Sequence, residues 1–243
     1  MSKLVVYAAG SLRYAFSALL SAFSRRTGVP VSGEFGPAGV LRRRIERGER
    51  PHLFASADMA HPQRLVELGI ATALRPFAGN RLCVTVRNMP ALTETPLLAV
   101  LCDARWRLAT STPGDDPGGD YALELFSLIE RERPGQGKML SRRAQALVGG
   151  KTSEPLPAGR MAAEFLLTEN RADIFLGYAS YASALATYPQ LCVRALPGSL
   201  TVRARYGCCL LTEEPAALAL QQFIGSQEGQ RLLRSHGFEI QGY

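Results

Sequence analysis

The sequence predicts an α/β protein folded as two lobes, each a mostly parallel sheet flanked by helices. Three observations carry that expectation. Short apolar runs alternate with stretches whose apolar residues recur every three or four positions, as when strands feed amphipathic helices. Twice near the N-terminus a strand ends in a turn of small residues that opens directly into a helix. Two later strands, 81–87 and 202–211, stand where the chain could leave one lobe and return to it.

The elements follow in order. Lys3 to Ala9 is a short apolar strand, Gly10 and Ser11 form a turn, and Leu12, Ala15, Phe16, Leu19 and Phe23 fall at helical spacing. Ser11 is therefore read as the N-cap of a helix over 12–27. The device recurs with a strand from Val31 to Phe35, a turn from Gly36 to Gly39, and Val40, Leu41 and Ile45 opening the next helix. A strand feeding a helix start gathers backbone N–H groups and the positive helix end at one place, which suits an anion. Further strands are expected at 52–57, 81–87, 107–111, 173–177, 190–195 and 202–211. Further helices are expected at 39–48, 61–69, 96–102, 120–132, 137–148, 159–168, 179–187, 213–225 and 227–235.

The strand 81–87 is bracketed by Ala78-Gly79-Asn80 and Asn88-Met89-Pro90, and 202–211 follows Pro197-Gly198-Ser199. Crossing there assigns 1–83 and 202–243 to lobe I and 84–201 to lobe II. Ligands of such α/β lobes bind beyond the carboxyl ends of the strands, so a cleft between lobes is expected. In lobe II, the strand Leu108–Ser111 runs into a turn-rich loop over 112–120, and Tyr121 to Ile129 continue as a helix. Pro155 to Gly159 lead into a helix beginning at Arg160, and the strand Ile174–Tyr178 presents Tyr178, Ser180 and Tyr181 at its end.

Composition narrows the function classes. A hydrophobic content of 47% in 243 residues is ample for two cores. No apolar run approaches the ~18 residues of a membrane span. The net charge of +7 comes from dispersed arginines without aromatic interleaving, read as solvated helix faces, and no nucleic-acid partner is expected. A positive field of this kind still favours recruitment of a small anion. The five cysteines, at 83, 102, 192, 208 and 209, show no metal or redox spacing with the three histidines. They are read as free thiols, and no cofactor or protein-bound metal cation is expected. His52, His61 and His236 offer no base paired with a nucleophile, Ser11 included, so no catalysis is expected.

The ordered set Ala8–Leu12, Leu53–Asp58, Gly79–Val84, Asp116–Tyr121, Gly177-Tyr178 and Gly237-Phe238 resembles the periplasmic molybdate-binding proteins, ligand receptors of ABC oxyanion importers. The resemblance spans nearly the whole chain. It implies a two-lobed type II periplasmic-binding fold with a two-strand hinge. It also implies a tetrahedral oxyanion, molybdate or tungstate, held mainly by uncharged donors. By position, Gly10 and Ser11 would supply an N–H and a hydroxyl, Ala38 and Gly39 helix-start amides, Gly118 a further N–H, and Tyr178 its hydroxyl. Ala38 replaces a serine common in the family. Arg160 falls on the fourth contact, where the family uses an apolar residue's N–H. It either brings a charged fork onto two ligand oxygens or points to solvent as a first-turn helix residue. Asp115 and Asp116 resemble the archaeal tungstate-binding branch, but Gly177 stands where that branch has a Glu, which leaves octahedral ligation incomplete. Asp58 reads as a helix cap ahead of His61-Pro62.

The resemblance implies a monomeric receptor partnered by a membrane permease. It would be periplasmic once a signal peptide is removed, or cytoplasmic if Met1 is the native start. The alternatives are a cytosolic ligand-sensing module of the same fold, or a receptor for sulfate or a small organic acid.

Overall fold

The computed structural model describes residues 3–240 of the chain. In chain order the strands are β1 (Leu4–Ala9), β2 (Val31–Gly36), β3 (Leu53–Ser56), β4 (Thr72–Arg87), β5 (Leu108–Ser111), β6 (Gln145–Val148), β7 (Ile174–Tyr178), β8 (Leu191–Ala195) and β9 (Arg203–Leu210). The first helices are α1 (Arg13–Thr27), α2 (Ala38–Glu46), α3 (Ala60–Glu67), α4 (Pro90–Thr93) and α5 (Leu97–Cys102). They are followed by α6 (Pro117–Glu132), α7 (Gln136–Arg143), α8 (Ala162–Thr168), α9 (Ala182–Leu185), α10 (Pro215–Gly225) and α11 (Gln227–Ser235).

The chain divides into two compact units, one running to Asn80 and resuming at Ala204, the other spanning Arg81–Arg203. In the first unit the strand order is β2-β1-β3-β9-β4. β1 pairs in parallel with β2 and with β3, and β9 runs antiparallel to β3. α1 buries Phe16, Leu19, Leu20 and Phe23, its one- and four-residue steps keeping them on one face. Phe23 packs on Phe223 of α10 with ring centroids 5.6 Å apart. The helix stops at Gly28, whose φ of 73° is the left-handed cap, and the Gly28 N–H returns to the Ser24 carbonyl at 2.9 Å.

In the second unit the order is β4-β7-β5-β6, with β8 on the other side of β4. β5 is parallel to β6 and β7, whereas β7 and β8 are antiparallel to β4. The α/β class is as expected, with sheets more mixed than the alternating pattern implies. Asp173, immediately before β7, is buried and ties three strands at one end. Its carboxylate takes the Arg107 backbone N–H at 2.8 Å, the Arg107 guanidinium at 3.0 and 3.1 Å, and Arg87 at 2.6 Å.

Several local expectations give way. The helix expected over 137–148 ends at Arg143, and Gln145–Val148 is instead the edge strand β6, paired with β5. β4 begins at Thr72, nine residues before the strand read from sequence. The helix expected at 159–168 begins only at Ala162, because the Arg160 N–H closes a turn onto the Pro157 carbonyl at 3.1 Å. All five cysteines are free, and burial pushes the thiols of Cys83 and Cys208 up to about 12, keeping them protonated.

Candidate ligand-binding site

In the first unit, β1 and β2 lie in register, Ala9 opposite Gly36, so both strands end at the same level. After β1, Gly10–Leu12 form a single 3-10 turn that runs into α1. After β2, Pro37 leads into α2, whose first two residues are Ala38 and Gly39. A Cβ placed on Gly10 would lie 3.9 Å from the Gly36 carbonyl oxygen, so the two turns are side by side. The structure therefore brings Gly10, Ser11, Ala38 and Gly39 together. No side chain caps either start. First-turn amides have no acceptor within their own helix, and here both sets stand at the positive ends of neighbouring helices.

Ser11 is not the N-cap expected of it. Ala9 is the cap of the 3-10 turn and Leu12 that of α1, and the Ser11 hydroxyl lies 2.9 Å from the hydroxyl of Tyr206. Tyr206 is fully buried on β9, and the buried Asn80 amide reaches its hydroxyl at 3.5 Å. Sequence reading missed both residues; a tyrosine in an apolar strand gives no sign of a partner 195 positions away. Arg13 adds positive charge nearby, its guanidinium 5.2 Å from the Phe35 ring and 3.4 Å from the Phe35 carbonyl at the end of β2. At the end of β3, Asp58 takes the Ser56 hydroxyl at 2.8 Å and the His61 N–H at 3.1 Å, the helix-start role expected for it.

In the second unit, Gly118 lies in the first turn of α6, which begins at Pro117, three residues before the helix read from sequence. Its N–H is held at 2.8 Å by the carboxylate of Asp116, the N-cap. Asp115 takes the Lys151 N–H at 2.7 Å. Tyr178 ends β7, 8% exposed, edge-on to Tyr121 of α6 with centroids 6.4 Å apart. Gly118 and Tyr178 thus belong to neighbouring parts of this unit.

Arg160 is placed differently from the expectation of a charged fork or a solvent-facing chain. Its Nε reaches Glu164 at 2.9 and 3.0 Å, Nη1 reaches Glu169 at 2.8 Å, and Nη2 bonds Glu164 and Thr168, the latter at 2.8 Å. The guanidinium also lies 5.0 Å from the Phe165 ring. Glu164 follows at four positions in the first turn of α8, and Glu169 is the residue that caps the end of that helix.

Among the described residues, Ser11 is not paired with a histidine. Ser11 faces Tyr206, His52 Nδ1 accepts from the Val5 N–H at 2.9 Å, and His236 Nδ1 lies 2.8 Å from the Leu232 carbonyl. Among the described residues no group of three or more His, Cys, Asp or Glu is placed to hold a metal. Among them also, no helix is long and apolar enough to cross a membrane. What the first unit offers is a set of neutral donors beside one positive side chain, suited to an anion.

Comparison with known proteins agrees with a binding role. An uncharacterized protein of Pasteurella multocida is 41% identical over 234 residues, covering 96% of this chain and 97% of that one. The molybdate-binding protein ModA of Escherichia coli is 32% identical over 136 residues, 52% of each chain. Among solved structures, the periplasmic molybdate-binding protein of Azotobacter vinelandii aligns with a TM-score of 0.77 at 18% identity, over 98% of this chain and 100% of that one. The sulfate-binding protein SubI of Mycobacterium tuberculosis aligns with a TM-score of 0.79 at 17% identity, over 99% and 87%. Iron-bound HitA of Pseudomonas aeruginosa shares the fold at a TM-score of 0.67 and 17% identity, over 97% and 84%. The fold is that of the type II periplasmic-binding proteins. With a family match running over residues 4–239, the chain belongs to the bacterial extracellular solute-binding proteins.

Proposed function

We propose that the protein captures a small oxyanion, molybdate or tungstate foremost, and delivers it to the membrane permease of an ABC importer. One observation carries the reading: two paired parallel strands end at one level, and each runs into a helix start that no side chain caps. The amides of Ser11, Ala38 and Gly39, the Gly10 turn and the Ser11 hydroxyl form the donor set. Neutral, preorganised donors meet the dehydration of a dianion with several hydrogen bonds at once. Gly118 and Arg160 take a smaller part than the resemblance implies, since Asp116 holds one and Glu164 and Glu169 hold the other. The E. coli relative is a molybdate-binding protein, which supports that choice among oxyanions. The receptor acts outside the cytoplasm, as a monomer, without cofactor or turnover.

A thermal-unfolding panel tests this, with molybdate, tungstate, sulfate, hydrogen phosphate, small carboxylates and ferric ion. A ligand at a hundredfold its Kd stabilises by about 2.7 kcal/mol, or roughly 5–10 °C for a chain of this size. Ser11→Ala should weaken every bound oxyanion by about threefold to tenfold, the worth of one neutral hydrogen bond. A shift with ferric ion and none with any oxyanion would overturn the reading.

A further inference from the structure

We propose that the edge strand β2, with the groove beside it, takes up an extended acidic segment of another protein as an added strand. β2 ends the strand order of its sheet, and among the described residues no strand pairs with its far side. The ladder sets the direction of its polar groups. The Leu4 N–H donates to the Pro30 carbonyl at 2.9 Å, and Leu4 stands opposite Val31. Bonding residues alternate in a parallel pair, so Ser32 and Glu34 serve β1, while Val31, Gly33 and Phe35 turn their N–H and C=O groups outward. The Arg13 guanidinium, 3.4 Å from the Phe35 carbonyl, agrees with that direction. A row of outward backbone groups on an edge strand is a template for one more strand.

Val31, Gly33 and Phe35 also line a groove whose other wall is Ser17, Ser21 and Ser24 of α1. The Phe35 ring folds over Gly33: a Cβ there would lie 2.9 Å from that ring and 3.1 Å from Leu20. The floor is therefore apolar and the wall is made of hydroxyls. Charge chooses the occupant. Arg13 stands at the Phe35 end, its guanidinium 5.2 Å from the ring. Arg25 lines the groove with its Nη1 donating to Ser21 at 2.8 Å, and α1 ends at Thr27, just before Val31. Both arginines are exposed, and among the described residues neither meets a carboxylate. A second copy of this chain, paired antiparallel about Gly33, would set each Arg25 toward the other copy's Arg13, and like charges so placed oppose the pairing. A foreign strand with carboxylates near both ends meets opposite charge at both. Val31 and Phe35 are four residues apart, so the carboxylates belong four positions apart, on one face of the added strand.

Fluorescence anisotropy with the full chain and a labelled peptide, Thr-Glu-Thr-Val-Thr-Glu-Thr, tests this at low salt, with Thr-Lys-Thr-Val-Thr-Lys-Thr as the matched control. Wild type should bind the glutamate peptide about tenfold more tightly than the lysine peptide, and the difference should shrink as salt rises. Val31→Pro removes one outward N–H and leaves the β1 ladder whole. It should weaken the glutamate peptide by about threefold to tenfold. Arg25→Glu should weaken it by a similar factor and strengthen the lysine peptide. Both variants should respond to molybdate as wild type does, so this surface and the oxyanion site stand or fall separately. If Val31→Pro does not fold, Arg25→Glu decides. No binding of the glutamate peptide, equal binding of the two peptides, or affinities unchanged in the variants would overturn the proposal. So would a wild-type dimer in sedimentation that Val31→Pro converts to monomer, since a second copy would then cover the edge.

Discussion

Replacing Asp173 by Asn should be among the most damaging conservative changes in the second unit. The carboxylate accepts the Arg107 N–H, both arms of the Arg107 guanidinium and Arg87, and it is 3% exposed. Those partners sit at the end of β4 and the start of β5, while Asp173 precedes β7, so one side chain fastens three strands. Removing one partner of a buried charged cluster costs about 3–5 kcal/mol. Here the guanidiniums are 33% and 40% exposed and can rehydrate, which favours the lower end, about 3 kcal/mol, with Asn retaining part of the hydrogen bonding. The pH dependence is a second signature. Burial pushes the Asp173 carboxyl upward, but the Arg107 side-chain and backbone bonds, with the charges of Arg87 and Arg107, outweigh it and hold the carboxyl below its ordinary range. A depressed folded pKa means the unfolded chain binds more protons. The contribution is therefore complete above the unfolded pKa of about 3.9 and is lost as pH falls through the lower folded value. Urea unfolding of wild type and Asp173→Asn from neutral pH into acid should give curves far apart at pH 7 that converge below about pH 4. A difference under about 1 kcal/mol at neutral pH, or one that does not shrink in acid, would show that the cluster does not hold these strands together.

Two further outcomes follow from packing. Gly119→Ala would place a Cβ against the Pro113 nitrogen and within 2.6 Å of backbone atoms of Thr112 and Ser111, so thermal unfolding should show a loss of about 1–3 kcal/mol; an unchanged Tm would contradict that close approach. Arg160→Ala strips the partner from Glu164, which is 5% exposed, and should lower the midpoint of thermal unfolding while leaving the ranking of bound anions as in wild type. An altered ranking in calorimetry would mean that the guanidinium leaves Glu164 for the ligand.

The α/β class was legible because alternation survives in β1, α1, β2 and α2, where β1 is apolar, β2 is bounded by turn residues and each helix keeps one buried face. It failed where the chain sends mixed signals. Gln145–Val148 follows a helix with only a brief break and is too short for a period, so only pairing with β5 makes it a strand. Thr72–Asn80 contains Arg75-Pro76 and Gly79, residues that argue against a strand, with Ala73 at a φ of 51°. At the site, the twin helix starts were visible because strand, small-residue turn and helix are consecutive in sequence. Tyr206 was invisible because its meaning lies in a contact across 195 positions. Arg160 was misjudged for a local reason. Glu164 stands four residues on, and that i,i+4 pair was a readable sign that the guanidinium was already engaged.

The start of α6 differs from the paired starts after β1 and β2, and the difference bears on how a ligand is held. At α6 the chain supplies its own anion, because Asp116 occupies the Gly118 amide and Gly149 leaves room for it: a Cβ there would lie 2.8 Å from the Asp116 side chain. That start is stabilised without any ligand and presents negative charge. At the 3-10 turn before α1 and at α2 no carboxylate or hydroxyl caps the amides, an omission that costs a helix about 0.5–2 kcal/mol at each start. A dianion at that place would complete both starts together. The Ser11 hydroxyl, 2.9 Å from the hydroxyl of the buried Tyr206, stands at the same helix start, so its oxygen is already positioned by a buried partner.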